Sequence, residues 1–475
     1  MTRDLSLDPV SLTFWGAARN VTGSRHLLHA NGEQLLLDCG LFQGRRAEAN
    51  QQNRELPFRA KDIAAVVLSH AHMDHAGNLP TLVKRGFRGK IHCTPATADL
   101  IGVMLRDSAH IQERDAEWLN KRRKRGQEKV EPLYALRDVE RCLKLVEPQR
   151  YRTPFAVRPG VTATFRDAGH ILGSAFVEMA LAASVTGDRP LRLVFSGDLG
   201  RRHLPILKDP EQPDAADVLV MESTYGDRFH EDIRGAEDAL GAVVERTAKR
   251  GGKVVIPAFS VGRSQEIVYE LHRLMSAGEI PELPVYIDSP LTAKVSQIFA
   301  RHEECFDAET WAILSKGGDP FGFERMRYVE SVEESKRLNN HQGPCVIISA
   351  SGMCEAGRVL HHLANTVEDE RNTVLIVGFQ ASHTLGRRLE EKARRVRILG
   401  SEFVVNAEVV ALHAYSAHAD KLDLLRFYEG MREKPGQVFL VHGEERQSEA
   451  LADALREKGA TRVEVPDYGA RFALG

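Results

Sequence analysis

The chain has 475 residues, 43% of them hydrophobic and 27% charged, and a net charge of −2. That length suits two domains or three, and the composition excludes a disordered, fibrous or collagen-like protein. The charge excludes a polycation, so any nucleic-acid contact must come from local patches. The first residues carry no signal-peptide core and no apolar run approaches a membrane span, so a cytoplasmic location with no membrane partner is expected. Six cysteines are scattered in mostly apolar surroundings and none forms CxxC, so neither disulfides nor a thiolate zinc site is expected.

Short extended segments open the chain at 12–15, 26–29 and 34–37, with glycine-rich turns between them. The third ends on Asp38, in Leu35-Leu36-Leu37-Asp38-Cys39-Gly40. The apolar run 63–68, with β-branched Ile63, Val66 and Val67, predicts a buried strand. It leads into His70-Ala71-His72-Met73-Asp74-His75, the pattern HxHxDH, four metal-type ligands in six residues. Residues i and i+2 of extended backbone point the same way, so His70 and His72 can reach one metal. Asp74 and His75 follow where the chain turns, before a predicted helix near 78–85. Their differing directions suit a second metal nearby. Nitrogen and oxygen ligands without thiolates fit a catalytic Zn²⁺ site with an open position.

From 97 to 124 the pattern is helical and strongly charged, and 131–145 is helical too. Lys121-Arg122-Arg123-Lys124-Arg125 is one candidate basic patch; Arg387-Arg388 with Arg394-Arg395-Val396-Arg397 is another. Either run taken alone reads as a solvated helix face. Strands are predicted at 161–166, 175–181, 191–195 and 218–221. His170, in Asp167-Ala168-Gly169-His170-Ile171-Leu172-Gly173-Ser174, lies between two of them, and Asp198, in Phe195-Ser196-Gly197-Asp198-Leu199-Gly200, directly follows another. Small neighbours let the backbone approach a crowded site.

Past residue 227 the texture changes. Helices at 237–249 and 264–275 alternate with strands at 253–256, 285–287, 345–349 and 374–377, which describes a compact α/β unit of its own. After 398 short strands return, ending with 438–441, which delivers His442 in Leu440-Val441-His442-Gly443-Glu444, and a helix at 448–458. One domain therefore sits inside another: 1–226, an insert at 227–397, and 398–475.

The order of Asp38, the HxHxDH cluster, His170 and Asp198 resembles the metallo-β-lactamase superfamily. Its fold is an αββα sandwich holding two metals at one sheet edge. The resemblance implies two Zn²⁺ ions: His70, His72 and His170 on one, Asp74, His75 and His442 on the other, and Asp198 bridging. It also implies that Asp38 holds the ligand loops by hydrogen bonds. Glu222-Ser223-Thr224-Tyr225-Gly226, Ala414-Tyr415-Ser416-Ala417-His418-Ala419-Asp420 and the His442 segment look like the three extra motifs of the β-CASP nucleases. The insert matches through Pro257-Ala258-Phe259-Ser260-Val261-Gly262-Arg263, Ser349-Ala350-Ser351-Gly352-Met353 and Thr384-Leu385-Gly386-Arg387. The resemblance covers nearly the whole chain and is closest to the RNA 3′-processing branch.

His442 favours RNA, because the DNA-repair branch typically has an aliphatic residue there. The ends of the chain lead to the expectation that neither the extra C-terminal domain of RNase J-type enzymes nor the KH domains of many archaeal relatives is present. His383 departs from the small residue that relatives often carry, which bears on substrate contacts and leaves the metal set intact.

The implied chemistry is hydrolysis of single-stranded RNA by a two-metal-activated hydroxide, endonucleolytic with 5′-exonucleolytic action left open by the sequence, and with Asp198 positioning the nucleophile. His418 would be the general acid and Glu222 its orienting carboxylate. Arg263, Ser351, Arg358 and Arg387 are candidate substrate contacts because they stand beside glycines, where backbone can come close to a ligand. Homodimers are expected by analogy. Rival readings are a hydrolase of a small ester, lactone or thioester on the same fold, a DNA nuclease, and an inactive RNA-binding scaffold. The last is disfavoured because no assignable ligand is missing.

Overall fold

The computed structural model describes residues 10–44, 46–123, 128–187, 189–230, 233–378, 380 and 383–474. They form two compact units: Met1–Arg202 with Asp209–Phe229 and His418–Gly475, and His203–Lys208 with His230–Ala417.

The first unit contains β1 (Val10–Phe14), β2 (His26–Ala30), β3 (Glu33–Leu37), β4 (Ile63–Val67), β5 (Lys90–Cys93), β6 (Val146–Pro148), β7 (Phe155–Arg158), β8 (Val161–Asp167), β9 (Ala175–Leu181), β10 (Leu191–Phe195) and β11 (Val218–Glu222). The second contributes β12 (Lys253–Pro257), β13 (Val285–Ile287), β14 (Met326–Tyr328), β15 (Cys345–Ser349), β16 (Thr373–Ile376), β17 (Arg395–Ile398), β18 (Ser401–Val404) and β19 (Glu408–Ala411). The chain then returns to the first unit for β20 (Gln437–Val441), β21 (Val463–Glu464) and β22 (Arg471–Ala473).

In the first unit two seven-stranded sheets form, ordered β22-β1-β2-β3-β4-β5-β6 and β21-β20-β11-β10-β9-β8-β7. Their facing sides share one apolar core, including Leu12, Leu28, Val67, Phe165, Val177, Phe195, Val220 and Phe439. β8 buries every second residue, the period a strand shows when one face meets a core. The opposite side of the second sheet packs Leu219, Met221 and Leu440 against the helices Lys421–Glu429 and Glu445–Glu457. The 27-residue helix Pro95–Lys121 packs on β6. This is the αββα sandwich.

Register decides where the chemistry gathers. β3 and β4 run parallel with Leu37 opposite Val67, so Asp38 and the HxHxDH loop emerge at the same end. β10, β11 and β20 are parallel neighbours, with Phe195 opposite Val220 and Glu222 opposite Val441. Asp198, Glu222 and His442 therefore leave one sheet edge together. Backbone hydrogen bonds from Cys39 to His75, from Leu41 to Met73 and from Ala175 to Ser69 hold the connecting loops.

The second unit is an α/β layer whose six-stranded sheet, β14-β13-β15-β12-β16-β19, is parallel throughout. β17 and β18 form a separate hairpin. The insert boundary expected at 397 is corrected by this sheet. β19 pairs with β16, Glu408 to Ala411 against Thr373 to Ile376, so the insert continues through Ala417. Its six-strand sheet needs that last strand to cover the β16 edge.

Candidate metal centre

The HxHxDH loop leaves β4 with His70 buried and His72 half-buried. The short helix Met73–Ala76 then turns Asp74 and His75 to a second direction. Backbone packing there is tight. A Cβ on Gly40 would lie 1.5 Å from the Asp74 carbonyl oxygen, and one on Gly200 would lie 1.9 Å from that of Gly169. Only glycine fits either contact.

Two ligand sets converge. In the first, His70 Nε2 and His170 Nε2 each lie 3.2 Å from His72 Nδ1. In the second, His75 Nε2 lies 3.2 Å from His442 Nε2, which is 3.4 Å from Asp74 Oδ2. Asp198 spans both: its Oδ2 is 3.5 Å from His70 Nε2 and 3.6 Å from His170 Nε2, while its Oδ1 is 3.3 Å from His75 Nε2 and 3.3 Å from His442 Nδ1. The seven residues are thereby brought together as His70, His72, His170 and Asp198 and as Asp74, His75 and His442, with His418 joining Asp198 and His442 in a third group.

The donor set fits divalent cations. Ligands about 2.0–2.1 Å from a tetrahedral Zn²⁺ are separated by roughly 3.3 Å, close to the spacings seen here. Three imidazole nitrogens meeting at one point cannot all hydrogen-bond to one another; a cation satisfies all three. Asp198 Oδ1 is buried without a well-formed hydrogen bond. Burial, reinforced by neighbouring imidazoles, holds His70 well below the usual histidine range. Burial also brings His72 down to about 4, although Asp74 and Asp198 oppose the shift. Their lone pairs are therefore available at neutral pH. Asp198 stays ionised: burial pushes it up, but His442, His75 and His70 pull it well below the usual carboxylate range.

Asp38 organises the loops. It is fully buried, its φ of 59° is left-handed, and its Oδ1 accepts from the Ser69 amide at 2.8 Å. Its Oδ2 accepts from Ser69 Oγ at 2.9 Å, from Ser24 Oγ at 3.2 Å and from His75 Nδ1 at 2.6 Å. This fixes the tautomer of His75 and turns Nε2 toward the cluster. His442 also has a left-handed φ, 51°, and its amide donates to the Ala17 carbonyl at 2.7 Å.

Beside the cluster, His418 Nδ1 lies 3.2 Å from Glu222 Oε1 and 4.0 Å from Asp198 Oδ2. Glu222 is fully buried and also accepts from the Leu199 amide at 2.7 Å. Burial works against a charged His418, but Glu222, then Asp198 and Asp74, push it up to about 9.

Several contributors were not singled out from the sequence. Thr224 Oγ1 is 3.1 Å from His442 Nδ1 and donates to the His442 carbonyl at 2.9 Å. Ser174 Oγ accepts from the amides of His170 and Ile171, and Ser196 Oγ accepts from that of Glu222. All three stand inside or beside the motif stretches, but no periodicity marks a hydroxyl as a support.

The four candidate substrate contacts belong to the second unit. Arg263 is buried, paired with Glu266, and its guanidinium lies 5.7 Å from the Tyr415 ring centroid. Arg358 donates to Asp288 Oδ1 at 2.6 Å and to the carbonyls of Val329 and Glu330. Arg387 is exposed and pairs with Glu391 and Glu390. Ser351 Oγ accepts from the Glu355 amide at 3.2 Å. The sheet does not gather them as the first unit gathers its ligands. Of the Lys121–Arg125 run, Lys124 and Arg125 lie outside the described residues, and of the segment at His383 so do Ala381 and Ser382. The described residues include no helix long and apolar enough to cross a membrane.

Three family models match the chain: the metallo-beta-lactamase superfamily over residues 24–163, the Beta-Casp domain over 264–389, and the Zn-dependent metallo-hydrolase RNA specificity domain over 403–466. The chain belongs to the β-CASP ribonuclease family of the metallo-β-lactamase superfamily and is a metal-dependent hydrolase. It is 38% identical to "Ribonuclease TTHA0252" of Thermus thermophilus, over 94% of this chain and 96% of that protein. It is 32% identical to "Transcription termination factor FttA" of Methanosarcina mazei, over 94% of this chain and 69% of that one. A solved structure of a protein of unknown function from Enterococcus faecalis shares the fold, with a TM-score of 0.56 at 13% identity, covering 98% of this chain and 100% of that one.

Proposed function

We propose that this chain hydrolyses phosphodiester bonds of single-stranded RNA with two Zn²⁺ ions, as an endonuclease. The observation that carries this reading is the His418–Glu222 pair set against Asp198. A small ester or lactam needs no separate acid of this kind beside the metal ligands, whereas a nucleotide 3′-oxygen leaves poorly without a proton. The ribonuclease relative and the RNA specificity domain support the same substrate class.

His70, His72 and His170 would hold one cation, Asp74, His75 and His442 the other, and Asp198 both. When bound, the cations supply Lewis acidity toward phosphoryl oxygens and lower the pKa of water toward about 7. Asp198 orients the attacking water in line with phosphorus. Asp38 keeps His75 and the Ser69 backbone in place. Glu222 accepts a hydrogen bond from His418 Nδ1–H and so stabilises the imidazolium, whose Nε2 proton goes to the departing 3′-oxygen. Among the candidate substrate contacts, Arg387 is exposed, Ser351 and Arg358 are half-buried and Arg263 is buried, and all three arginines already pair with carboxylates. Backbone contacts of this kind weaken as salt rises.

The test is cleavage of a 5′-labelled single-stranded RNA by zinc-loaded wild type and His418→Ala, with zinc counted in both. The expected result is a loss of about 10²–10⁴-fold in the variant with zinc retained. Intact RNA alongside rapid opening of a lactone or thioester by zinc-replete wild type would overturn the proposal. Preferential cleavage of a matched DNA strand would redirect it.

A further inference from the structure

The helix Pro95–Lys121 begins at the metal centre and ends far from it. At its start, Thr94 Oγ1 and Thr97 Oγ1 donate to the Gly173 carbonyl at 2.6 and 2.8 Å, next to the loop that carries His170. At 1.5 Å per residue, Trp118 lies about 30 Å further along the axis. There Trp118 is 51% exposed, an unusual position for the largest apolar side chain. The Arg122 guanidinium sits 3.9 Å from its ring centroid. Ile111, two turns before, is 53% exposed, and Arg114, Lys121 and Arg122 are exposed on the same stretch.

Beyond Trp118 the described residues are cationic: Lys121, Arg122 and Arg123 are exposed with no carboxylate among residues 118–123, while exposed Asp115 and Glu117 lie before the ring. The helix end is also fixed in place. Asn120 Nδ2 donates to the Val130 carbonyl at 2.8 Å and the Val130 amide donates to Asn120 Oδ1 at 2.9 Å. Nearby, the Leu133 amide donates to Gln112 Oε1, and Tyr134 and Ser108 share a hydrogen bond. This is a held aromatic–basic surface rather than a frayed tail.

We infer that Trp118, Lys121 and Arg122 form an outlying binding surface for single-stranded RNA, where a base stacks on Trp118 and phosphates pair with the cations. An exposed tryptophan within a cationic stretch is the combination that binds single strands without sequence preference. Charge complementarity selects a polyanion over an acid-poor protein surface, and the exposed ring selects unpaired bases over a duplex. The inference rests on the RNA-nuclease reading above. It adds that long RNAs are held at two places, the metal centre and this helix end, and that short ones are held only at the first.

The experiment uses full-length, zinc-loaded protein and two single-stranded RNAs, of about 6 and about 25 nucleotides. Wild type, Trp118→Ala and Lys121→Gln/Arg122→Gln are compared in cleavage and in fluorescence-anisotropy binding across a salt series, and melting curves check the fold. The expected result is that both variants raise KM and Kd for the long RNA at least 5-fold, leave the short RNA unchanged, and the double variant shows a shallower salt dependence. Variants that keep the wild-type ratio of long to short affinity overturn the inference while leaving the nuclease reading intact. So does a change in oligomeric state with RNA affinity unaltered, which would make the surface a protein contact. Wild type that binds and cuts neither RNA sinks the nuclease reading first, and this inference with it.

Discussion

The two units treat buried charge in opposite ways. In the first, imidazole nitrogens converge on one another and on Asp198 at 3.2–3.6 Å, ligand atom facing ligand atom. In the second, the buried charges are matched. Asp288 accepts from Arg358 and Ser335 and lies 2.6 Å from His362 Nε2, and Arg263 answers Glu266. Polar groups that are buried and paired hold a fold together. Polar groups that are buried and converge on one point suit a shared cation, which offsets the several kcal/mol that crowding them together out of water costs.

That contrast can be broken at its strongest point with Asp198→Asn. Loss of the bridging charge should lower bound zinc, measured by atomic absorption, and reduce RNA cleavage by about 10³-fold or more. Retention of two zincs and of activity would show that the convergence has another cause. A smaller and purely structural effect is expected from Arg358→Met. It strips Asp288 of a cationic partner and should cost about 3 kcal/mol in urea unfolding, with kcat on a short RNA unchanged in the fraction that remains folded.

Glu270, in the second unit, is less well matched. Burial, then Glu237, pushes Glu270 up to about 7, against the pull of Arg273. The folded chain therefore binds that proton more tightly than the unfolded chain, whose carboxyl titrates near the ordinary 4.5. Stability should be highest below that range and fall as pH rises from about 4.5 through about 7. Glu270→Gln should flatten this part of a melting-temperature profile; an unchanged slope would assign it to other groups. The smallest effect is expected at Arg387. Its exposed pairs with Glu390 and Glu391 are worth within about 0.5 kcal/mol, so Arg387→Gln should leave melting unaltered. A rise in KM for RNA in that variant would make Arg387 a substrate contact, and an unchanged KM would leave it a surface ion pair.

Much of the scaffold could be read directly. The strands Ala175–Leu181, Leu191–Phe195, Val285–Ile287 and Cys345–Ser349 fall where apolar, β-branched runs place them. β5 and β6 are not legible in the same way, because Lys90–Cys93 and Val146–Pro148 mix polar residues and proline into segments with no apolar run. β19 was assigned to the wrong unit, since Glu408–Ala411 carries nothing in its residues to say that it joins β16.

What the sequence determined by itself is local: strand ends, the small residues beside them, and the shared direction of His70 and His72, which follows from the two-residue period of extended backbone. What tertiary structure decided is distance between parts far apart in the chain. Glu222 reaches His418 across 196 residues, and His75 meets His442 across 367. Parallel pairing of β10, β11 and β20 set those meetings, because strand register moves every side chain at a sheet edge together. The same physics explains why the partners of Arg263 and Arg358 were invisible beforehand. A carboxylate's proximity is a property of packing, and neither spacing nor composition encodes it.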